Sequence, residues 1–186
     1  MFDISIDGTK DSIVELIKLN SLFNQLEGLK KCSVLVGIPE EESERKKGEM
    51  SNAALLYIHS HGSPKNNLPA RPLLEPAITE PNNAQRITED LKMVAQALLD
   101  GKPAQAERGM KVAGQDAVNM IKNWFDDPRN GWEPNKPGTI KRKISKLKGK
   151  KKKAALVAQA TGEKVDTVLV DTAQMKNAIT YVIKEI

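Results

Sequence analysis

Apolar residues recur three and four positions apart over most of this chain, which is the spacing of amphipathic helices. The pattern predicts helices over residues 11–29, from residue 52 to a stop at Gly62, and over residues 87–101 and 102–127. Between the last two, the sequence DGKP combines a glycine stop with a proline suited to a first helical turn. These two helices should therefore form a hairpin.

Runs of strand length lie towards both ends of the chain. Residues 2–6 and 179–183 alternate apolar and polar side chains, and residues 32–39 form a valine-rich run that we interpret as a central strand. A short strand is expected over residues 166–170, followed by a helical turn that opens within residues 171–172. The sequence therefore predicts an α+β fold: a small, mostly antiparallel sheet from both chain ends, packed against several helices that include the hairpin.

Two polar segments interrupt these elements. Residues 40–49 (EEESERKKGE) carry many charges and no hydrophobic side chain, so we expect a solvated loop or hairpin tip that becomes ordered only on assembly. Residues 127–138 hold three prolines and two glycines, which predicts a turn. Trp124 and Trp132 flank this turn and are expected to close the core beneath it, with stacking on nucleic-acid bases as the alternative.

Composition favours a single domain over residues 1–186, because 186 residues with 39% hydrophobic content suffice for one core. The net charge of +5 is unevenly distributed, since nine basic residues and no acidic ones lie within residues 141–153. We expect a flexible basic insertion over about residues 141–165, part of it helical. Its cations are candidate contacts to DNA or to an acidic partner surface, and a solvated tail is the alternative. They are Lys141, Arg142, Lys143, Lys146, Lys148, Lys150, Lys151, Lys152 and Lys153.

Patterns typical of catalysis are missing from the sequence, including a phosphate-binding glycine loop, a dinucleotide fingerprint and a nucleophile elbow. His59 and His61 would point away from each other on a helix, so a metal site is not expected there. Cys32 is alone and should lie in the core. No apolar run approaches the roughly 18 to 20 residues that cross a bilayer. We therefore expect a non-enzymatic protein of the reducing cytosol, with no cofactor, metal or membrane contact.

The segment LPARPLLEPAI, residues 68–78, is named here the proline strip. Pro69 and Pro72 restrict its backbone to extended geometry before it touches any partner. Pro72 can also begin a helical turn whose apolar residues face the body, while Arg71 projects from the edge. A surface connection whose prolines only stiffen the unfolded chain is the alternative interpretation.

The proline strip and the preceding NAALLYIHSHG resemble a pattern of bacteriophage tail-completion (virion morphogenesis, neck) proteins, in which a helix of the form N-A-(x)8-G leads into I-P-A-R-P-F-L-x-P-A. EPNKPGTIKRK resembles the family's P-L-x-P-x-T-I-x-x-K, and LVDTAQMKNAITYVI resembles its L-I-D-T-G-x-L-x-x-S-I-x-Y. The three motifs occur in the family's order. Leu73 stands where the family has Phe, and Ala173 where it has Gly.

The resemblance implies a structural virion protein of the phage head-to-tail junction, assembled in the host cytoplasm. It would form a homo-oligomeric ring, with a hexamer expected, that joins the tail tube or tail terminator to the head-closure and portal proteins and leaves a channel for genomic DNA. A tail terminator that caps tube growth, or a nucleic-acid-binding module acting through the lysine tract, are the alternatives. The implied assembly interface comprises Pro69, Ala70, Arg71, Pro72, Leu73, Leu74, Thr139, Lys143, Asp171 and Thr172.

Overall fold

The computed structural model describes residues 20–21, 23–24, 32–46, 48–161, 168–169 and 173–185. Its strands are β1 (Cys32–Gly37) and β2 (Thr180–Glu185). Its helices are α1 (Glu40–Ser43), α2 (Asn52–His61), α3 (Leu74–Thr79), α4 (Pro81–Leu99), α5 (Pro103–Trp124), α6 (Pro137–Lys146), α7 (Gly149–Thr161) and α8 (Gln174–Asn177), and 3-10 turns cover Pro64–Asn66 and Pro128–Asn130.

The sheet joins the two ends of the described chain. β1 and β2 are antiparallel, with Val34 opposite Ile183 and Val36 opposite Tyr181. These residues share one face because side chains alternate along a strand, and that face packs on α5. The predicted α+β fold, with strands from both chain ends packed on helices, is therefore confirmed.

Some predicted elements fall on residues that are not described. The strand over residues 2–6, most of the helix over residues 11–29 and the side chain of Cys32 lie outside the described residues. β1 pairs with β2, and its predicted position as a central strand therefore stays a prediction. The strand predicted over residues 166–170 is wrong where it is described, because Val168 and Leu169 lie in a turn and Leu169 has φ of +64°.

Helices α4 and α5 form the predicted hairpin, and α5 lies at the centre of the fold. Pro103 opens α5, as the DGKP sequence predicts. α5 packs against α3, α4 and both strands. Its first half contributes Ala106 and Met110 to a core shared with α4, and its last turn contributes Ile121 to a second core. Both of these core clusters therefore include residues of α5.

The charged segment over residues 40–49 is only in part the solvated loop that its composition predicts: its described residues after Ser43 have no regular secondary structure and are mostly exposed, but its first residues are helical. Its first residues form α1, and the Oγ of Ser43 accepts a hydrogen bond from the backbone N–H of Ala53 at 3.1 Å. The side chain of Asn52 bonds the carbonyl of Glu42 at 3.2 Å and accepts from Arg45 at 3.2 Å. The first N–H groups of a helix lack partners within it, so Ser43 satisfies one of them for α2 in addition to the N-cap residue Ser51.

The basic segment is helical over most of its described length. α6 contains Lys141 to Lys146, and α7 begins at Gly149, which has φ of +55°. The two helices pack against each other. Residues 162–165 of the predicted insertion lie outside the described residues.

Gly114 allows β2 to approach α5 more closely than any side chain would permit. A Cβ built at Gly114 would overlap the ring of Tyr181. We expect Gly114→Ala to lower the free energy of unfolding by about 2 kcal/mol, because overpacking outweighs the better helix propensity of alanine. Urea unfolding followed by circular dichroism measures this change.

Gly138→Ala in α6 is the matched control, because a Cβ there meets nothing within 4 Å. It should change the unfolding free energy by no more than about 1 kcal/mol. Equal losses in both variants would show that the approach of Tyr181 does not limit the packing.

Candidate assembly interface

The proline strip begins where the chain reverses after α2. Gly62 has φ of +75°, and a Cβ there would lie 2.7 Å from the backbone nitrogen of Ala70, so only glycine fits. Ser63 and Leu68 exchange backbone hydrogen bonds of 2.8 and 3.0 Å around the 3-10 turn. The strip therefore runs back along the last turn of α2.

Contacts with the turn over residues 127–138 hold the strip in place. The indole Nε1 of Trp132 donates to the carbonyl of Pro72 at 3.2 Å, and Nη2 of Arg71 donates to the carbonyl of Glu133 at 3.0 Å. Both bonds join residues about sixty positions apart in the sequence. Trp132 also packs edge-on against Phe125, so it belongs to the core beneath the turn, as predicted.

Arg71 points inwards, and the prediction that it projects from the strip is wrong. Only 6% of the surface of Arg71 is exposed, whereas its neighbours Ala70 and Pro72 are exposed. Alternate side chains of an extended backbone point to opposite sides, so Arg71 shares a side with Leu73, which is fully buried. The N–H of Arg71 also donates to the carbonyl of His59 at 2.7 Å, which fixes this orientation.

The buried Arg71 and His59 have incomplete hydrogen bonding. Burial lowers the pKa of the Arg71 guanidinium, and the nearby carboxylate of Glu133 opposes that effect. Burial, and next the charge of Arg71, lowers the pKa of His59. Within the described chain, Nε of Arg71 and Nδ1 of His59 are buried without a hydrogen-bond partner. His59 is therefore held neutral beside a buried cation.

An apolar cleft of about 490 Å³, named here the strip cleft, lies between α2, the proline strip and the end of β1. Tyr57 stands at its edge, 65% exposed, with its ring centroid 4.2 Å from that of His61. Glu75 at the start of α3 is exposed on the other side. The lining residues are Gly37, Ile38, Ala53, Leu56, Tyr57, Ser60, His61, Pro72, Leu73, Leu74, Glu75 and Pro76.

Tyr57 is a candidate interface residue that the sequence analysis missed. On α2, Leu56 is buried whereas Tyr57 is 65% exposed. Adjacent helical residues can both face a core, as Ala117 and Val118 do on α5, so the sequence alone carries no signal for the exposure of Tyr57.

The other predicted interface residues are distributed as follows. Pro69 and Leu74 are half-buried on the strip, and Thr139 and Lys143 are half-buried on α6. The Nζ of Lys136, immediately before α6, reaches the carbonyl of Asn67 at 3.5 Å, so α6 begins beside the strip. Asp171 and Thr172 lie outside the described residues.

The helical turn near the chain end begins later than predicted. α8 starts at Gln174, and Ala173 before it adopts φ of +60°, a conformation that favours glycine. α8 packs against α2, and Met175 and Ile179 join Leu73 in one core. The segment after residue 172 thus contributes to the body that supports the strip.

The remaining candidate chemistry is limited. His61 bonds the carbonyl of Tyr57 at 2.9 Å through Nδ1. The described residues contain no group of three His, Cys, Asp or Glu side chains arranged to hold a metal ion. Among the described helices, none is both long and apolar enough to traverse a bilayer.

The basic residues lie on the surface of α6, α7 and the link between them. All are exposed except Lys143, which is half-buried, and Lys143 and Lys146 both make interactions. The strip cleft and the basic tract are therefore two distinct surfaces.

Comparison with known proteins finds no matching family model, no matching curated protein and no matching solved structure.

The buried side chain of Arg71 should stabilise the fold through its aliphatic stem more than through its charge. We expect Arg71→Ala to lower the free energy of unfolding by about 2 kcal/mol, because packing and a hydrogen bond are both lost. Arg71→Met keeps the stem and removes the buried cation, so its loss should be under about 1 kcal/mol. Urea unfolding of both variants measures the difference. A Met variant as unstable as the Ala variant would instead assign the stabilisation to the bond with Glu133.

His59 should make the protein less stable in mild acid. Its folded-state pKa lies below its ordinary value of 6.5, so the unfolded chain binds the proton first. The stabilisation is fully present above 6.5 and is lost as the pH falls towards the folded-state pKa. The free energy of unfolding should therefore fall less between about pH 7 and about pH 5 in His59→Gln than in the wild type. Equal slopes for His59→Gln and the wild type would contradict this account.

Proposed function

We propose that this chain is a structural protein of the head-to-tail junction of a tailed bacteriophage. In this role copies of the chain form a ring, most simply a hexamer, that joins the tail tube to the head-closure and portal proteins. The strip cleft is the surface on which a neighbouring subunit docks. The proposal involves no catalysis and no cofactor.

The observation that carries the proposal is the convergence of the three motif segments on the proline strip. Leu73 of the first segment shares a core with Met175 and Ile179 of the third. Lys136 of the second segment contacts the carbonyl of Asn67 at the entrance to the strip. Segments about a hundred residues apart therefore support the proline strip. This is expected if the three motifs serve to build and hold that strip.

The conformation of Ala173 agrees with the same pattern. The family has glycine in this position, and the chain has alanine with φ of +60°. A left-handed residue with a side chain costs free energy of about 1 kcal/mol, so the turn is retained against its intrinsic preference. This supports the alignment of the third motif.

The strip is ordered before any partner arrives. Its backbone is stiffened by Pro69 and Pro72 and anchored by the bonds to Trp132, Glu133 and His59. A surface that is already rigid loses little conformational entropy on docking. The bonds of the strip's inner side thus leave its exposed side available to a neighbouring subunit.

The chemistry of the strip cleft defines what would fit it. Its interior is apolar, and its rim carries the exposed ring of Tyr57 and the carboxylate of Glu75. Aromatic residues of this kind often dominate binding energy at protein interfaces. The complementary surface is an apolar side chain flanked by a basic group. Because Arg71 is buried, the charged group that the strip offers to a neighbour is the carboxylate of Glu75.

We expect that deleting the gene for this chain from a tailed phage that encodes it leaves filled heads and completed tails that do not join. Complementation with Tyr57→Ala should give at least tenfold fewer joined particles than complementation with the wild type, because the aromatic ring at the rim of the cleft is lost. Met93→Ala on α4 is the matched control, since Met93 is also highly exposed but lies outside the cleft. Negative-stain images and plaque counts measure both effects.

The deletion also separates the proposal from its nearest alternative. A tail terminator would be indicated by tails of abnormal length, because tube growth would be uncapped. Normal virions without the gene would refute a role in either process. Equal defects in the Tyr57 and Met93 variants would refute docking at the cleft.

A further inference from the structure

Seven cations of the basic tract are exposed, and together they are named here the basic face. Within the described residues none of them takes part in an ion pair, and no acidic residue occurs between Glu133 and Glu163 in the sequence. Their positive charges therefore add. They are Lys141, Arg142, Lys148, Lys150, Lys151, Lys152 and Lys153.

The first turn of α7 carries charges that destabilise the helix. It contains Lys150 to Lys153 and no acidic residue. The N-terminal end of a helix is already positive because its N–H groups are unpaired, so cations there are unfavourable. The lysines also repel one another. A bound polyanion would remove both penalties.

The rest of α7 supplies little compensating burial. Ala155 is its buried residue, while Leu156 and Val157 are 48% and 62% exposed. A helix of this length has little intrinsic stability in water and depends on packing or on a ligand. Binding of a polyanion would therefore stabilise α7 as well as neutralise it.

We infer that the basic face binds the phosphate backbone of duplex DNA without sequence preference. Successive helical residues are rotated by about 100°, so the four consecutive exposed lysines point in different directions from α7. The major groove of duplex DNA admits a helix and presents phosphates on both of its sides, whereas an acidic protein surface faces only one side. Lysines acting as point charges read phosphates and not base edges. The inference rests on the charge and geometry of α6 and α7 and not on the proposed neck function.

Fluorescence anisotropy with labelled duplexes of about 25 base pairs, one A·T-rich and one G·C-rich, tests the inference. The full chain should bind both equally, and its affinity should fall on the order of 100-fold from about 50 to about 200 mM KCl if four phosphates are contacted. Replacing Lys150, Lys151, Lys152 and Lys153 by Gln should weaken binding at least tenfold and flatten the salt dependence.

The control replaces four dispersed exposed lysines by Gln, namely Lys46, Lys65, Lys92 and Lys184, so that the net charge changes equally. Circular dichroism verifies that both variants are folded. The inference is overturned if the control weakens binding as much as the tract variant, or if the tract variant binds within twofold of the wild type. Displacement of DNA by polyglutamate at equal charge concentration would overturn it in favour of an acidic protein partner. Loss of DNA binding with normal head joining would overturn the inference and leave the proposed function intact. Normal DNA binding with failed head joining would leave the inference intact, because DNA binding does not depend on docking at the cleft.

Discussion

The close approach of β2 to α5 at Gly114 is the constraint on which the candidate interface depends. It brings Tyr181 against the helix, and the register of the sheet then fixes Gly37 of β1 opposite Thr180. Gly37 is one wall of the strip cleft, and the residues just before β2 form part of the core beneath it. The last turn of α5 contributes Ile121 and Trp124 to the same core. One helix thus packs on the sheet that carries Gly37 and also contributes to the core beneath the strip.

The sequence predicted those features that local chemistry decides. The hairpin followed from periodicity and from the glycine and proline of DGKP, and the end of α2 at Gly62 was also confirmed. The wrong predictions concern partners that are distant in the sequence or in a neighbouring element. Ser43, at the end of the short helix α1, accepts a hydrogen bond from the backbone N–H of Ala53 in α2, although the described charged residues around it are mostly exposed. Composition alone cannot reveal such an acceptor.

Arg71 illustrates the same limit within the site. A charged residue between two prolines is expected at the surface, since ionised groups are rarely buried. In the structure, side chains of the extended backbone can point only inwards or outwards. Because Leu73 is buried, Arg71 two residues before it also points inwards. The guanidinium then binds a carbonyl of the turn and holds the strip from beneath. The strip therefore has an inner side that anchors it and an outer side, with Pro72 and the cleft, that is free for docking.

The two candidate surfaces are connected through α6. This helix begins beside the strip at Lys136 and ends where the link to α7 and its lysines begins. A subunit docked on the strip, as proposed, would therefore also restrict where the basic face can lie. In a closed ring, symmetry would repeat the basic face at one radius. Individually weak phosphate contacts would then act together on a single duplex, because every contact after the first is intramolecular. Assembly through the cleft would in this way strengthen DNA binding by a surface that takes no part in the docking.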